Sequence, residues 1–309
     1  MYDLITVGSA TLDVVVRSKD FSVKTIENNR VLCEQYGEKM DVDELKFISG
    51  GGATNVAVGA SRLGLKAATV CEVGKDFAAR VVFDDLVKDH VETKYLIAER
   101  LEETAVSILL CAGDGERSAL TRRGAAYQLE SRDIPWHDLH KTRWLHLGTL
   151  GGDKQLMFDL FEFAKHHALK VSWTPSMKDL DVCQCGELLT ETIWCDVLTL
   201  NDTEWMSFEK IQPQLLEQIE IIIVTNGKKG GTVFHQGRRL LQYDALAVKS
   251  IEQTGAGDAF ATGFIGGQLM NRTILESIEW GKRNAASVTK FLGAKRGLLT
   301  KKMIENEMV

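Results

Sequence analysis

The sequence predicts an α/β fold with a mainly parallel central sheet, on three observations. Strand-like and helix-like runs alternate along most of the 309 residues, as in βαβ units. The first run, "YDLITVG", is apolar and ends in glycine, which suits an inner strand. There are only three prolines and no Ser/Gly-rich linker, so we expect a single domain over residues 1–309.

The N-terminal elements follow from local patterns. "LDVVVRS" predicts a second strand, and "RVLCEQY" and "ELKFISG" predict short β pieces. "TNVAVGASRLG" predicts a helix with Asn55 at its entry and Gly64 as its stop. "KAATVCEVG" then predicts a strand, and "DFAARVVFDDLVKDHV" predicts a helix because its apolar residues recur at helical spacing after an acid.

Later segments keep this alternation, with two β-rich excursions near residues 14–49 and 104–121. In the second excursion, two β-like runs flank "AGDGE", which indicates a hairpin. "GTVFHQGRRLLQYDALAVKS" predicts another hairpin, and "GDAFATGFIGGQLM" and "LESIEWGKRNAASVTKFLG" predict two helices. We therefore expect these two β-rich segments to be insertions in a single α/β domain.

Composition excludes several classes of protein. Hydrophobic residues make up 44% and charged residues 26% of the chain, as in ordinary globular proteins. The net charge of −6 argues against a broad nucleic-acid surface. The six cysteines show no CxxC pair, so we expect reduced thiols. Because there is no signal peptide and no apolar run of roughly 20 residues, we expect a cytoplasmic protein that contacts no membrane.

The stretch "TGAGDAF" carries the strongest chemical signal. Gly255, Ala256 and Gly257 stand at the start of a predicted helix, directly before Asp258. A helix N-terminus exposes unpaired N–H groups, and glycines let an anion approach them closely. Asp258 alone would read as an ordinary N-cap. The whole string instead predicts an anion hole beside a carboxylate.

Together with the upstream cluster "SGGGATN", this string resembles the two signature regions of the ribokinase (PfkB) family of sugar and nucleoside kinases. The resemblance covers nearly all of the chain. It implies a ribokinase-like three-layer α/β/α fold with a small β-rich lid. It also implies ATP as phosphoryl donor, Mg²⁺ as cofactor and a small-molecule sugar or nucleoside as acceptor, with Asp258 as general base and the "GAG" amides as anion hole.

The resemblance also implies the acceptor contacts. "VGSATLDVVV" is similar to the first strand of the family with its substrate-binding aspartate, here Asp13. The first signature gives Gly50 and Gly51 as a hinge-like pair and Asn55 as a substrate ligand. Three arginines, at positions 117, 122 and 123, lie on or after the predicted hairpin; at least two should be solvated, and Arg123 is our candidate for a substrate contact.

On the nucleotide side, "LNDTEW" resembles the Asn-x-x-Glu element of the family. It places Asn201 and Glu204 near the phosphates and Mg²⁺, which they would hold through water. "VTNGKKGG" is similar to the strand and turn beside the nucleotide, with Thr225 and Gly227. "NAASVTKFLGAKRG" lies where the family closes its adenine pocket, with Asn284 as the candidate contact.

Two departures from the family pattern stand out. Many members carry an aspartate that helps to hold a monovalent cation, where this chain has Glu252. Glutamate keeps the charge but adds a methylene, so activation by K⁺ stays open. The family often has Asp-Pro-Asn where this chain has Thr174-Pro175-Ser176, so no phosphate or metal role carries over to that segment.

Several functions stay open at this point. Within the family, a nucleoside or a sugar acid could replace a neutral sugar as acceptor, and the lid strands could pair two chains into a homodimer. A dinucleotide-dependent oxidoreductase is weakly supported, because Phe260 occupies the third glycine position of its motif and a helical stretch follows. The third reading is a non-catalytic sugar-binding protein on the same scaffold.

Overall fold

A nine-stranded sheet forms the centre of the fold. The computed structural model describes residues 1–98, 101–112, 117–184 and 192–306. In spatial order the strands are β15 (Arg238–Tyr243), β14 (Gly231–His235), β13 (Ile221–Thr225), β12 (Val197–Asn201), β11 (Lys170–Trp173), β10 (Thr142–Leu147), β1 (Tyr2–Val7), β6 (Ala67–Val73) and β7 (Leu96–Ala98). All neighbouring pairs from β13 to β7 are parallel, and β14 and β15 extend the sheet as antiparallel strands.

Helices cover both faces of this sheet. They are α1 (Gly52–Arg62), α2 (Phe77–Lys88), α3 (Trp136–Leu139), α4 (Lys154–His166), α5 (Met177–Gln184), α6 (Asp202–Ser207), α7 (Gln212–Gln218), α8 (Ala256–Leu269), α9 (Ile274–Val288) and α10 (Lys301–Asn306). The alternation of side chains along β1 separates the two layers. Leu4 packs in one core with α1 and α8, whereas Ile5 and Val7 pack in another with α4. The prediction of a mainly parallel α/β/α fold is confirmed.

The boundaries of three helices have local causes. Asp76 caps α2 by accepting the N–H of Ala79 at 2.8 Å, as the acid before this helix predicts. Thr273 caps α9 in a reciprocal capping box with Glu276. Helix α1 begins at Gly52, three residues before the predicted entry, so Asn55 lies inside its first turn.

A second, four-stranded sheet stands apart from the first. Its strands, in order, are β5 (Glu44–Gly50), β2 (Thr11–Arg17), β8 (Ala105–Cys111) and β9 (Arg117–Arg122). A separate hairpin joins β3 (Ser22–Ile26) to β4 (Asn29–Cys33). Strands β8 and β9 pair antiparallel, and part of the "AGDGE" turn between them lies outside the described residues. We call this four-stranded sheet the small sheet.

The two faces of the small sheet differ. On one face, Val15 and Leu109 are buried against Leu292 of the main body. On the other, Phe47 and Leu120 are 52% and 61% exposed. The face that carries Val15 also carries Asp13, because alternate residues of a strand share a face. Within the described ranges, no helix has the length and apolar character of a membrane span.

Candidate active site

Helices α1 and α8 begin side by side, and their first turns carry the two central polar residues. The side-chain amide of Asn55 donates a hydrogen bond from Nδ2 to Oδ2 of Asp258 at 2.8 Å, across 203 positions of sequence. A Cβ added to Gly52 would lie 3.6 Å from Oδ1 of the same carboxylate. The N-terminus of α1 therefore faces Asp258.

The glycine pair before α1 brings Asp13 to the same place. A Cβ on Gly50 would lie 2.4 Å from Oδ2 of Asp13, so only glycine fits there without a shift. Gly51 has φ 99°, and a Cβ there would lie 2.5 Å from the carbonyl oxygen of Ser9. The structure thus brings together Asp13, Gly50, Gly51, Asn55 and Asp258 where the small sheet joins the main body.

Both carboxyl groups have raised pKa values. Burial is the main cause of the raised pKa of Asp258, while the Asn55 hydrogen bond and the charge of Lys295 act in the opposite direction. Burial and the nearby charge of Glu252 raise the pKa of Asp13 to about 6, again against Lys295. A carboxylate with a raised pKa is a better proton acceptor than an ordinary one, provided that it is still ionised at the working pH.

The turn before α8 has the geometry of an anion hole. Gly255 is left-handed with φ 75°, and a Cβ there would lie 2.3 Å from Cβ of Ala294. No side chain caps the first amides of α8. The N–H of Ala256 donates to the carbonyl of Gln253 at 3.3 Å, whereas the space beside Gly257 is open. The turn therefore leaves room for an anion next to Gly257.

A cavity of about 330 Å³ opens on the other side of this turn. Ala256 and Gly257 form one wall, and Thr225 and Gly227 from the end of β13 form another. Phe260 adds an aromatic surface. The cavity therefore connects the anion hole with the strand and turn that the sequence assigns to the nucleotide.

Asn284 does not lie in this cavity, contrary to the prediction. It is buried, its Nδ2 donates to the carbonyl of Ala259 at 2.7 Å, and its Oδ1 accepts the N–H of Leu299 at 2.9 Å. Its amide therefore holds α9 against α8. The residues of α9 and its end that line the cavity are Lys282, Ala285, Ala286 and Thr289. Their spacing along the helix is the signal that could have identified this face.

Asn201 and Glu204 form a reciprocal capping box at the start of α6. The N–H of Glu204 donates to Oδ1 of Asn201 at 2.9 Å, and the N–H of Asn201 donates to Oε2 of Glu204 at 2.8 Å. Asn201 pairs with Thr225 across neighbouring strands, which places the box near the cavity. Burial raises the pKa of Glu204. Amide and carboxylate oxygens suit Mg²⁺, and Oε1 of Glu204 takes no part in the cap, so these residues fit such an ion.

Glu252 is buried, and its carboxylate is occupied by protein donors. The N–H of Gly293 donates to Oε2 at 2.8 Å, and the hydroxyl of Thr254 donates to Oε1. Across the described part of the chain, no cluster of three His, Cys, Asp or Glu side chains could hold a metal ion. Glu252 therefore supports the turn before α8 through hydrogen bonds.

The remaining predicted residues lie in loops. Arg123 is exposed, and its guanidinium stands over the ring of Tyr127 at 5.4 Å rather than beside Asp13. In the Thr174–Ser176 segment, Ser176 donates its N–H to Asp179 at 2.7 Å, and the buried Asp179 also accepts the N–H of Gly152. This segment shapes the loop after β10.

Comparison with known proteins identifies the family of the chain. Residues 1–301 match the sequence model of a protein family described as "pfkB family carbohydrate kinase". The chain is 24% identical to an ATP-dependent 6-phosphofructokinase of Thermoanaerobacterium thermosaccharolyticum, over 95% of this chain and 89% of the relative. It is 27% identical to an Escherichia coli fructokinase, over 84% and 91%.

The fold is also similar to solved structures. An Arabidopsis thaliana ribokinase complexed with ribose and ATP superposes with a TM-score of 0.77 at 19% identity, over 99% of this chain and 98% of that one. This likeness extends to the whole architecture. With the match over residues 1–301, it confirms the resemblance found in the sequence: the chain belongs to the pfkB family of carbohydrate kinases.

Proposed function

We propose that this protein transfers the γ-phosphate of ATP to a hydroxymethyl group of a sugar. The observation that carries the proposal is the hydrogen bond between Asn55 and Asp258 at the paired N-termini of α1 and α8, next to Asp13. A base, an anion-binding turn and a second carboxylate then share one cleft. These are the groups that phosphoryl transfer to an alcohol requires.

Asp258 acts as the general base. Its Oδ1 faces Gly52, while Oδ2 is held by Asn55, so one oxygen is oriented and the other is available to a hydroxyl. The carboxylate takes the hydroxyl proton as that oxygen attacks the γ-phosphorus in line and the bond to the ADP oxygen breaks. The Gly255, Ala256 and Gly257 amides and the α8 dipole stabilise the charge on the transferred group.

Asp13 and the glycine pair bind the acceptor. A buried, ionised carboxylate can accept hydrogen bonds from two sugar hydroxyls, which offset its desolvation. Gly51, in a conformation that favours glycine, serves as the hinge on which the small sheet closes as a lid. Closure would exclude water, which otherwise competes with the sugar as acceptor.

The 330 Å³ cavity takes the nucleotide. Thr225 and Gly227 approach it from β13, and Lys228 and Lys282 add positive charge. When Mg²⁺ is bound, held through water by Asn201 and Glu204, it neutralises phosphate charge. Because protein donors occupy the Glu252 carboxylate, we expect exchange of Na⁺ for K⁺ to leave turnover unchanged, as measured by ADP release in the two salts.

A sugar that carries an acidic group is the second candidate acceptor, and Arg117 favours it. Arg117 pairs with Cys111, which pairs with Arg17, so it shares the inner face of the small sheet with Asp13. Within the described residues its side chain has no hydrogen bond or ion pair. Its charge lowers the pKa of Asp13. A guanidinium facing the cleft suits a carboxylate or phosphate. A nucleoside stays a third candidate acceptor.

A homodimer through the small sheet is also proposed. Four apolar side chains on its outer face, Leu45, Phe47, Ile108 and Leu120, are exposed. Exposed apolar patches commonly mark contacts between proteins. Sedimentation equilibrium should give a dimer for the wild type and a monomer for Leu120→Lys; a wild-type monomer at micromolar concentration would exclude the dimer.

The test of function is acceptor-dependent ADP release from Mg-ATP. The panel contains ribose, fructose, their phosphates, 2-keto-3-deoxygluconate and several nucleosides, with Asp258→Asn as the matched control. Fast turnover with one acceptor, lost in the control, supports the proposal and identifies the acceptor class. Binding of a sugar by calorimetry with no ADP release would instead favour the non-catalytic reading. Binding of NAD(H) with hydride transfer would favour the oxidoreductase, although α8 is followed by α9 rather than by the strand which that motif requires.

A further inference from the structure

Lys295 is a buried cation in the segment that follows α9. It is 3% exposed, and its Nζ donates a hydrogen bond to Oγ of Ser49. Nζ also lies 3.5 Å from Oδ2 of Asp85 on α2, and Ser49 donates to the same carboxylate oxygen at 2.6 Å. Lysines are almost never fully buried unless they are paired. The burial of Lys295 therefore requires a specific structural explanation.

Three successive residues of this segment touch three parts of the site. Gly293 donates its N–H to Glu252, which lies three positions before the anion turn, the turn at Gly255, Ala256 and Gly257. Ala294 packs against Gly255, where it leaves no room for a Cβ. Lys295 contacts Ser49, the residue directly before the Gly50–Gly51 pair. One short segment thus links the anion hole to the base of the small sheet.

The charge of Lys295 also reaches the two site carboxylates. It lowers the pKa of both Asp13 and Asp258, against the effect of burial. Burial lowers the pKa of Lys295 itself, while Asp85, Cys71 and Asp13 raise it. Arg62 of α1, paired with Asp89, donates to the backbone carbonyl of Lys295. The charge of Glu252 raises the pKa of Asp13, and the charge of Arg117 lowers it.

We propose that Lys295 is a positioning residue for phosphoryl transfer, which fixes the lid hinge to the anion turn through Ser49 and places a buried positive charge next to the cleft that contains Asp13 and Asp258. The inference rests on the proposed function, and it adds a group that touches neither substrate. In physical terms, a cation carried by the chain itself offsets the cost of holding two carboxylates in a desolvated cleft.

The test compares Lys295→Met with two matched variants. Asp85→Asn removes the other charge of the pair. The double variant Asp85→Asn/Lys295→Met removes both charges, so that neither is left buried without its partner. It replaces Lys295→Met in the test if that single variant fails to fold. Lys290→Met, an exposed lysine of the same segment, is the surface control. Each variant is assayed for kcat and for KM of the acceptor as a function of pH.

We expect the acid limb of kcat/KM to move to higher pH by about one unit in Lys295→Met and in the double variant, but not in Asp85→Asn or Lys290→Met. Activity lost at pH 7 should largely return at pH 9. A uniform loss at all pH values would overturn the proposal, because a merely structural lysine would lower activity without moving the limb.

A second readout does not require turnover. With ¹³C-labelled aspartate, NMR titration of the Asp13 and Asp258 carboxyls, assigned through Asp13→Asn and Asp258→Asn, should give higher pKa values in the double variant than in Asp85→Asn. Unchanged titration curves would refute the role of Lys295 even in an active kinase. Shifted curves in a protein that turns over no acceptor would refute the proposed function and leave the electrostatic role intact.

Discussion

The two halves of the cleft, which we propose bind the acceptor and the nucleotide, differ in the side chains that line them. The acceptor half contains ionisable groups with little access to water: burial raises the pKa values of Asp13 and Asp258, and the charge of Lys295 lowers them. The nucleotide half is lined largely by small side chains and backbone, as at Ala285 and Ala286. Substitutions in the first half should therefore change chemistry and pH dependence, and those in the second should change mainly fit.

The largest effect is expected for Asp258→Asn. This change keeps the size of the side chain but removes the proton acceptor, so turnover should fall by a factor of about 10² or more. Steady-state ADP release measures the loss, and calorimetry with the acceptor checks that binding is preserved. Near-normal turnover would remove Asp258 from the mechanism and would leave the acceptor half without a base.

Gly255→Ala should have the next largest effect. A Cβ at this left-handed position would meet Ala294 at 2.3 Å, so the anion turn must shift. The backbone strain alone costs about 1–2 kcal/mol, and we expect turnover to fall about tenfold through lost stabilisation of the transferred phosphoryl group. Gly64→Ala is the matched control, because Gly64 also has a positive φ (86°) but lies outside this turn, where a Cβ would meet no atom within 4 Å. Equal losses in the two variants would show that the turn does not act through its shape.

Asp13→Asn should weaken activity and stabilise the fold at the same time. The KM of the acceptor should rise about tenfold, the scale of one lost charged hydrogen bond. The pKa of Asp13 in the folded protein, about 6, lies above the ordinary value of 3.8, so the folded state binds more protons between these values and loses stability as pH rises through them.

Asp13→Asn removes this loss of stability at high pH, because an asparagine side chain does not ionise. At pH 7 its free energy of unfolding should exceed that of the wild type by up to about 3 kcal/mol, and below pH 4 the two should be equal. Denaturant unfolding at both pH values measures the difference. A variant that is less stable at pH 7 would mean that Asp13 is not a desolvated carboxylate.

The smallest effect is expected on the nucleotide side. Ala286→Met would fill part of the cavity, and an overpacking cost of about 1 kcal/mol corresponds to an increase of about fivefold in the KM for ATP. The acceptor KM and the pH profile should stay unchanged. A shifted acid limb in this variant would contradict the division between the two halves.

Much of this site could be predicted from sequence, because backbone turns demand particular residues. Gly51 and Gly255 adopt positive φ, which favours glycine. The short motifs that contain these glycines also contain Asn55 and Asp258, so the sequence pattern identified all four residues. The prediction that Asn284 lines the nucleotide cavity fails because α9 turns this side chain into the core, whereas its neighbours Ala285 and Ala286 line the cavity. Lys295 could not be found at all, because its burial depends on Ser49 and Asp85, which lie more than 200 positions away.

The contact between Asn55 and Asp258 also has a consequence for synthesis on the ribosome. Its partners are 203 positions apart, so a growing chain carries α1 long before it carries α8. Most of α1 is buried in the finished protein, partly against α8. Until the last sixth of the chain emerges, that surface lacks its cover and the cleft lacks its base. A partly made chain would therefore lack the proposed catalytic base and would expose the apolar surface of α1 to association with other chains.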